Sequence, residues 1–545
     1  MKASLESANH PDDLVDYNLF TSNAALVDAL EREGASAAHG RLTELGARLG
    51  TREMFALGDA ANRNPPALKL FDRFGNRLDE VEFHPAWHEL MRRLVAEGLH
   101  TSPWAEPRDG AHVERAAAYM LWGEIENGTQ CPATMTYGAI PALARQRDDF
   151  APWMRRLLSR HYDPRLVPIG QKHGALMGMG MTEKQGGSDV RANITRAEPA
   201  GAAGPGHEYR ITGHKWFFSA PMCDAFLVLA QAAAGLSCFF VPRILPDGSR
   251  NALYLQRLKD KVGNRSNASS EVEFENTYGV LVGEEGRGIP TILEMGVYTR
   301  LDCAIGAAGI MRQCVAQAVH HARHRSAFGR LLVDQPLMRN VLADLALECE
   351  AAIALAIRLA RAFDAQQDEL EAALRRVLTP VAKYWICKRA PAVGAEAMEV
   401  LGGNGYVEEG PIARRFRELP LNGIWEGSGN IMCLDVLRAL AREARTGEAL
   451  AALFQRRRGA DARFDQYVDR LLADLRDAAG DEASARILTE RIALAAQASI
   501  LLEGGSESVA QAFISSRLAS GAPAAFGVLP RSPVHDGLLE RVLRR

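Results

Sequence analysis

The sequence predicts an α+β protein in which helices and sheet are segregated along the chain. Three observations predict it. Up to about residue 178 the apolar residues fall at helical spacing. Residues 179–290 break into short β-rich runs with no helical insert. From residue 291 long helical periodicities return. Helices, then sheet, then helices is the order of an α+β chain rather than of repeated βαβ units. No G-x-G-x-x-G follows a strand, which argues against a Rossmann site for NAD.

Four regions follow from this reading: an N-terminal extension with a helical domain (1–178), a β-domain (179–290), a helical bundle (291–445) and an additional helical segment (446–545). Residues 1–50 read as a polar extension with one short helix. In FHPAWHELMRRLVAEG, Pro85 marks a helix start and Trp87, Leu90, Met91, Leu94 and Val95 share one face. VERAAAYMLWGEIENG repeats the pattern and ends at Gly128. HEYRITGHKWFFSAP, AFLVLAQAA, LSCFFVPRI and SSEVEFENTYGVLVG then read as strands of a small antiparallel domain, broken by turns such as Pro246-Asp247-Gly248. Later helices are expected from about Met295 to Ser326, from Leu337 to Phe363, and from Val381 to Leu401, the last stopped by Gly402-Gly403. The final segment is rich in Ala, Leu and Arg.

Composition narrows the function classes. A formal net charge of −3 over 545 residues excludes a globally basic protein that coats nucleic acid by charge alone, and leaves room for a local basic patch. No apolar run reaches the roughly 18 residues of a membrane span, and MKASLESANHPDDL lacks the apolar core of a signal peptide. A cytoplasmic chain is expected. None of the eight cysteines forms a CxxC, so buried free thiols are expected. His320, His321 and His324 have no carboxylate or cysteine set at ligand spacing, and no metal site is assigned.

Four motifs carry chemistry. In MTEKQGGSD, two adjacent glycines let the backbone approach a large ligand, and Thr182 and Ser188 offer hydroxyls. In IWEGSGN, Glu426 sits in a Gly/Ser loop before a helix whose free N–H groups attract anions. Trp425 beside it would favour a carboxylate acting as a base near neutral pH. In RSAFG, Arg325 ends a long helix and could pair with a phosphate. AMEVLGGNGY places glycines where a helix stops or a backbone meets a cofactor. Taken singly, each reads as readily as a polar turn, a capping loop or a solvated arginine.

Their order is what discriminates. TEKQGGSD, GHKWFFS, KVGNRSN, LVGEEGRG, RSAFG, AMEVLGGNGY and IWEGSGNI resemble, in sequence, the signature blocks of the acyl-CoA dehydrogenase family. Within it, FHPAWH, GNRSNAS, QPLMR and LNGIWEGSGNIMCLDVLR are more similar to the AidB-type, alkylation-response branch than to metabolic dehydrogenases. The resemblance implies the acyl-CoA dehydrogenase fold: an N-terminal helical domain, a middle β-domain and a C-terminal helical bundle, here with an extra C-terminal helical segment.

It also implies FAD. The residues matching FAD contacts are Met179, Gly180, Met181, Thr182, Glu183, Lys184, Gln185, Gly186, Gly187 and Ser188 in the first block. Phe217, Phe218 and Ser219 stand where the family places Trp-Ile-Thr, a departure that exchanges the stacking Trp for Phe217. Ile424, Trp425, Gly427, Ser428, Gly429 and Asn430 complete the set, and Arg325 with Gly402 and Gly403 would act across a subunit interface. A homo-oligomer is implied, by family habit a tetramer. Glu426 matches the base that removes the α-proton of an acyl-CoA, with isovaleryl-CoA as the first test substrate. For this branch the resemblance further implies double-stranded DNA binding in the alkylation-damage response. Arg438, Arg442, Arg445, Arg456, Arg457 and Arg458 are the candidate phosphate contacts. The alternatives are a metabolic dehydrogenase of a short or branched acyl-CoA with no DNA role, and a DNA-binding flavoprotein without turnover.

Overall fold

A computed structural model describes residues 9–146, 148–365, 367–477, 481–519, 524–530 and 534–544. Residues 1–8, where the expected polar extension begins, lie outside the described residues, as do short stretches of the expected final segment. The chain forms two compact units. One comprises Ala56–Pro107 and Glu126–Arg300. The other comprises the chain up to Phe55, Arg108–Ile125 and the chain from Leu301 onward.

The first unit opens with a hairpin of β1 (Ala67–Phe71) and β2 (Arg77–Glu82), paired antiparallel with Leu68 opposite Val81. Sequence reading took residues 1–178 as mostly helical, but β1 alternates exposed and half-buried residues, the period of a sheet edge. Helix Pro85–Ala96 begins as expected. Pro85 sits in its first turn, the His84 ring accepts from the Ala86 N–H, and Trp87, Leu90, Met91, Leu94 and Val95 are buried. Seven further strands form one sheet: β3 (Met177–Thr182), β4 (Arg196–Pro199), β5 (Glu208–Ser219), β6 (Ala225–Ala232), β7 (Gly235–Pro242), β8 (Leu253–Leu258) and β9 (Ser269–Val282). Their order is β3-β5-β4-β6-β7-β9-β8. The sheet is mixed rather than wholly antiparallel. β3 pairs antiparallel with β5 on one side and parallel with β6 on the other. The parallel pair is possible because β4 and β5 provide the long crossover that parallel neighbours require. Phe226–Leu229 of β6 and Phe239–Val241 of β7 are buried.

A buried carboxylate organises the helical part of this unit. Glu126 accepts hydrogen bonds from the Gly128 and Thr129 N–H groups (2.8 Å each), the Ser266 hydroxyl (2.6 Å) and Asn62 Nδ2 (3.1 Å). A carboxylate with this many donors tolerates burial.

The second unit is helical. Contrary to the reading of residues 1–50 as a polar extension, helices Ala24–Arg32 and His39–Leu49 bury Leu26, Leu30, Leu42 and Leu45, and Leu19 and Phe20 precede them in the core. The long helices are Gly288–His324 (which enters this unit at Leu301), Pro336–Asp364 and Glu369–Val400. The last begins twelve residues before the expected Val381. The Asp368 carboxylate caps it by accepting from the Leu370 and Glu371 N–H groups, while Pro380 and Pro391 lie inside it. Helices Ala485–Glu503 and Glu507–Phe513 belong to the same unit. Buried charge ties the chain end down. Arg517, 1% exposed, bonds Asp344 and Glu348 of helix Pro336–Asp364, and Arg541 bonds Glu350 and Asp28. Arg115 and Asp302 form a further pair, 1% exposed on each side, through bonds of 2.5 and 2.7 Å. All eight cysteines are buried. Among the described residues no helix is long and apolar enough to cross a membrane.

Candidate functional site

In the first unit the first two cofactor blocks lie on adjacent strands. Met179 pairs with Ser219, Gly180 with Phe218 and Thr182 with Phe217, with a bulge between Gly180 and Thr182. Met181 and Thr182 are half-buried, and Gly187 and Ser188 are exposed in the loop after β3. A Cβ at Gly187 would stand 3.1 Å from the Thr182 methyl, so only glycine lets this loop fold back onto Thr182 without strain. Phe217 is 50% exposed in mid-strand, and Lys259 Nζ lies 4.6 Å from its ring centroid and 3.5 Å from that of Trp216.

Some of the nominated residues turn inward instead. Phe218 is fully buried against Phe226 (centroids 4.4 Å apart), and a Cβ at Gly180 would meet its ring at 2.5 Å. Gly180 therefore serves core packing. Met179 is buried as well. Glu183 is nominated for the cofactor, but its carboxylate faces the interior. It pairs with Lys215 Nζ at 2.6 Å, both side chains being 0% exposed, and accepts from the Ile194 N–H (2.8 Å), the Thr195 N–H (3.3 Å) and Gln185 Nε2 (2.7 Å). Burial pushes this carboxyl up. The Lys215 charge and hydrogen bond, with the bonds from Thr195 and Ile194, outweigh burial and bring it down to about 2.

In the second unit, Leu421–Gly423 forms a short 3-10 turn, and helix Gly429–Arg442 starts after it. Glu426 lies between them at φ +59°, and Gly427 follows at φ +106°. A non-glycine residue in the left-handed region needs the surroundings to hold it. Lys383, 1% exposed on helix Glu369–Val400, supplies the hold. Its ammonium donates to the Trp425 carbonyl (2.8 Å) and to the Gly427 carbonyl, one on each side of Glu426. Trp425 Nε1 donates to Asn422 Oδ1 at 2.9 Å. Helix Gly429–Arg442 has Ser428 at its N-cap with no side-chain cap, and the Asn430 Oδ1 accepts from Arg486. Burial raises the Cys303 thiol well above its usual range; Lys383 opposes this, and Cys387 and Glu426 add to it. Sequence reading missed Lys383, although a lysine inside PVAKYWIC is a charge in an otherwise apolar run.

The remaining nominated residues are in the same unit. Arg325 is half-buried and donates to the Asn9 carbonyl at 2.6 Å. Gly402 has φ +60°, and a Cβ there or at Gly403 would meet nothing within 4 Å. Of the six arginines proposed for DNA, Arg445 pairs with Glu369, Arg456 and Arg457 with Glu503, and Arg458 with Asp469. Arg438 and Arg442 are exposed, one turn apart on helix Gly429–Arg442, and make no ion pair among the described residues.

Residues 9–164 match the family model described as the adaptive response protein AidB N-terminal domain. Residues 178–277 and 286–441 match the acyl-CoA dehydrogenase middle and C-terminal domains. The chain is 51% identical over 507 residues to AidB of Escherichia coli (strain K12), a match covering 93% of each chain. The chain belongs to the acyl-CoA dehydrogenase family. A solved structure of Bd2924 in its apo form superposes with TM-score 0.82 at 28% identity, over 91% of this chain and 99% of that one. Caenorhabditis elegans ACDH-11 in complex with C11-CoA superposes with TM-score 0.83 at 24% identity, over 100% and 94%. The chain is thus an AidB-like acyl-CoA dehydrogenase and an FAD-dependent oxidoreductase.

The residues present fit FAD. Large apolar side chains with exposed faces fall within the family motifs: Phe217, Phe328 (99% exposed), Tyr406 (80%) and Ile424 (65%). Apolar surface of this kind marks places where something covers the chain. In the first unit Thr182, paired with Phe217 across β3 and β5, offers a hydroxyl, as does the exposed Ser188; in the second unit, taken by itself, the uncapped start of helix Gly429–Arg442 offers N–H groups to an anion.

Proposed function

We propose that the chain oxidises an acyl-CoA at its α,β-carbons with Glu426 as the base, a branched short acyl-CoA such as isovaleryl-CoA being the first substrate to test. The observation that carries this reading is the fixed Glu426 loop, bracketed by the two Lys383 hydrogen bonds. Glu426 takes the α-proton onto a carboxylate oxygen as the Cα–Cβ double bond forms. A backbone N–H near Glu426 stabilises the charge that develops on the thioester oxygen. When bound, FAD supplies the acceptor for the hydride that leaves Cβ. Thr182, Ser188 and the start of helix Gly429–Arg442 would offer hydroxyls and N–H groups to the cofactor's polar groups, and Phe217 would offer it an apolar face. A homo-oligomer, with Arg325, Gly402 and Gly403 acting across the interface, accounts for the exposed Phe328 and Tyr406. The test is anaerobic bleaching of the bound flavin by isovaleryl-CoA; a flavin unchanged by a panel of short and branched acyl-CoAs refutes the reading.

Lys383 enters as a positioning residue. Lys383→Met is expected to lower the rate of flavin reduction by about ten- to a hundredfold, on the scale of a misplaced catalytic group, with little change in the acyl-CoA concentration needed for half-saturation. Lys383→Arg is expected to recover part of the rate. Stopped-flow reduction at several acyl-CoA concentrations distinguishes this from a loss of binding.

A second activity, binding of double-stranded DNA within the alkylation response, is favoured by Arg438 and Arg442. These two arginines have no acidic partner among the described residues, whereas the other four candidates are already paired. Arg438→Ala combined with Arg442→Ala is expected to weaken duplex binding and to reduce the slope of log K against log salt by about 2. Replacing Arg456–Arg458 is expected to leave the slope in place. A slope unmoved by the first pair would put the DNA surface elsewhere.

A further inference from the structure

In the second unit, RSAFG folds into a tight hairpin of two short strands, β10 (Ser326–Ala327) and β11 (Arg330–Leu331). Phe328 and Gly329 form its turn at φ +53° and +77°, the left-handed pair that a two-residue hairpin turn favours. Pairing alternates along such a hairpin. Ala327 opposes Arg330 next to the turn, and the Arg325 carbonyl accepts from the Leu332 N–H at 2.8 Å. Ser326, opposite Leu331, falls between them at a non-hydrogen-bonded pair. Its N–H and carbonyl therefore face away from β11 and need partners from elsewhere.

Asn9 supplies both partners. The Ser326 N–H donates to Asn9 Oδ1 at 2.7 Å, and Asn9 Nδ2 donates to the Ser326 carbonyl at 2.8 Å. The side-chain amide pairs with Ser326 as the peptide group of a neighbouring strand would. The Asn9 main chain makes a third bond, its carbonyl accepting from Arg325 Nη1 at 2.6 Å. Asn9 stands at φ +64°, a conformation that asparagine tolerates better than most residues. The segment behind it is tied to the same unit. His320 Nε2 donates to the Asp12 carbonyl (2.7 Å), Arg52 Nη1 pairs with Asp13 (2.9 Å), and the Asp16 N–H donates to the Gly50 carbonyl (2.7 Å). Asn9 reaches Ser326 from a fixed base, which lowers the entropy cost of its three bonds. Arg325 makes no ion pair among the described residues, so its charge stays open to an anion.

We propose, given the part already proposed for Arg325 at the cofactor, that Asn9 is a positioning residue for FAD binding. It braces the hairpin through Ser326 and fixes the direction of the Arg325 guanidinium, whose remaining N–H groups meet a phosphate of the cofactor. A residue 316 positions away in the chain thereby sets part of the FAD affinity.

The experiment is a double-mutant cycle read as the FAD dissociation constant, taken from the flavin fluorescence that appears on dilution of the full-length, FAD-loaded protein. Arg325→Ala is expected to raise the constant by at least about tenfold, the scale of a lost hydrogen bond between charged groups. Asn9→Gly keeps the backbone carbonyl and suits φ +64° but removes the amide clamp. It is expected to raise the constant about three- to tenfold. In the Arg325→Ala background the same change is expected to alter it by less than about twofold, because Asn9 acts through Arg325. Parental affinity in Asn9→Gly, with FAD released from Arg325→Ala, overturns the proposal and leaves Arg325 at the cofactor. Parental affinity in Arg325→Ala removes Arg325 from the cofactor and overturns the proposal with it. An equal loss from Asn9→Gly in both backgrounds means that Asn9 acts on something other than Arg325, and overturns it as well.

Discussion

Glu426→Gln is expected to slow anaerobic flavin reduction by isovaleryl-CoA by at least about a thousandfold, within the range that a positioned general base contributes, while FAD remains bound. The amide keeps the shape of the side chain and its place in the loop but cannot accept the α-proton. The loop itself keeps the two Lys383 hydrogen bonds to the carbonyls of Trp425 and Gly427. Glu426→Gly supplies the control. At φ +59° a glycine is relieved of a strain of about 1 kcal/mol, so this variant should be inactive yet melt no lower than the parent. Stopped-flow absorbance of the flavin band, read beside the thermal melt, checks both. Reduction at the parental rate in Glu426→Gln would remove Glu426 from the chemistry and leave a flavoprotein whose base lies elsewhere.

The loop that carries the proposed base was legible in the sequence and the lysine that holds it was not, for a physical reason. Glu426 sits in a loop whose glycines and position before a helix show locally. Lys383 acts on carbonyls more than forty positions away, and no local pattern records that pairing. The same contrast runs through the fold. Helix Pro85–Ala96 was legible because Pro85 and the apolar spacing from Trp87 to Val95 are local signals. Residues 1–50 read as a polar extension with one short helix because their many polar and charged residues dominate a local reading, and only packing shows that Leu26, Leu30, Leu42 and Leu45 of two helices are buried. The hairpin of β1 and β2 was missed because charged residues interrupt its alternation. Its place is set by long-range bonds, Arg77 to the Leu255 carbonyl and the Leu255 N–H to Asp79. The inward turn of the Glu183 carboxylate was not legible for the complementary reason. Its motif neighbours Thr182 and Ser188 face outward, and only the strand pairing of β3 with β5 shows that Glu183 faces Lys215.

That pair leads to the second large effect. Lys215→Met is expected to cost about 3–5 kcal/mol of stability near neutral pH, the range for removing one partner of a buried ion pair. The variant strands the Glu183 carboxylate at 0% exposure with its Thr195, Ile194 and Gln185 donors but no counter-charge. Burial drags the Lys215 ammonium down to about 8, which still leaves it charged at neutral pH, so the parent keeps an ionised pair there. The acid dependence has a definite sign. A carboxyl held at about 2 in the fold, against an ordinary 4.5, contributes stability that is fully present above 4.5 and is lost as pH falls toward 2. The double variant Glu183→Leu/Lys215→Met is therefore expected to recover most of the stability lost by Lys215→Met and to show a flatter stability profile below pH 4.5 than the parent. Urea unfolding at a series of pH values measures both. If the double variant is no more stable than Lys215→Met, the damage comes from packing around β3 and β5 and not from the stranded charge. A profile as steep as the parent's would mean that the acid sensitivity belongs to other carboxylates.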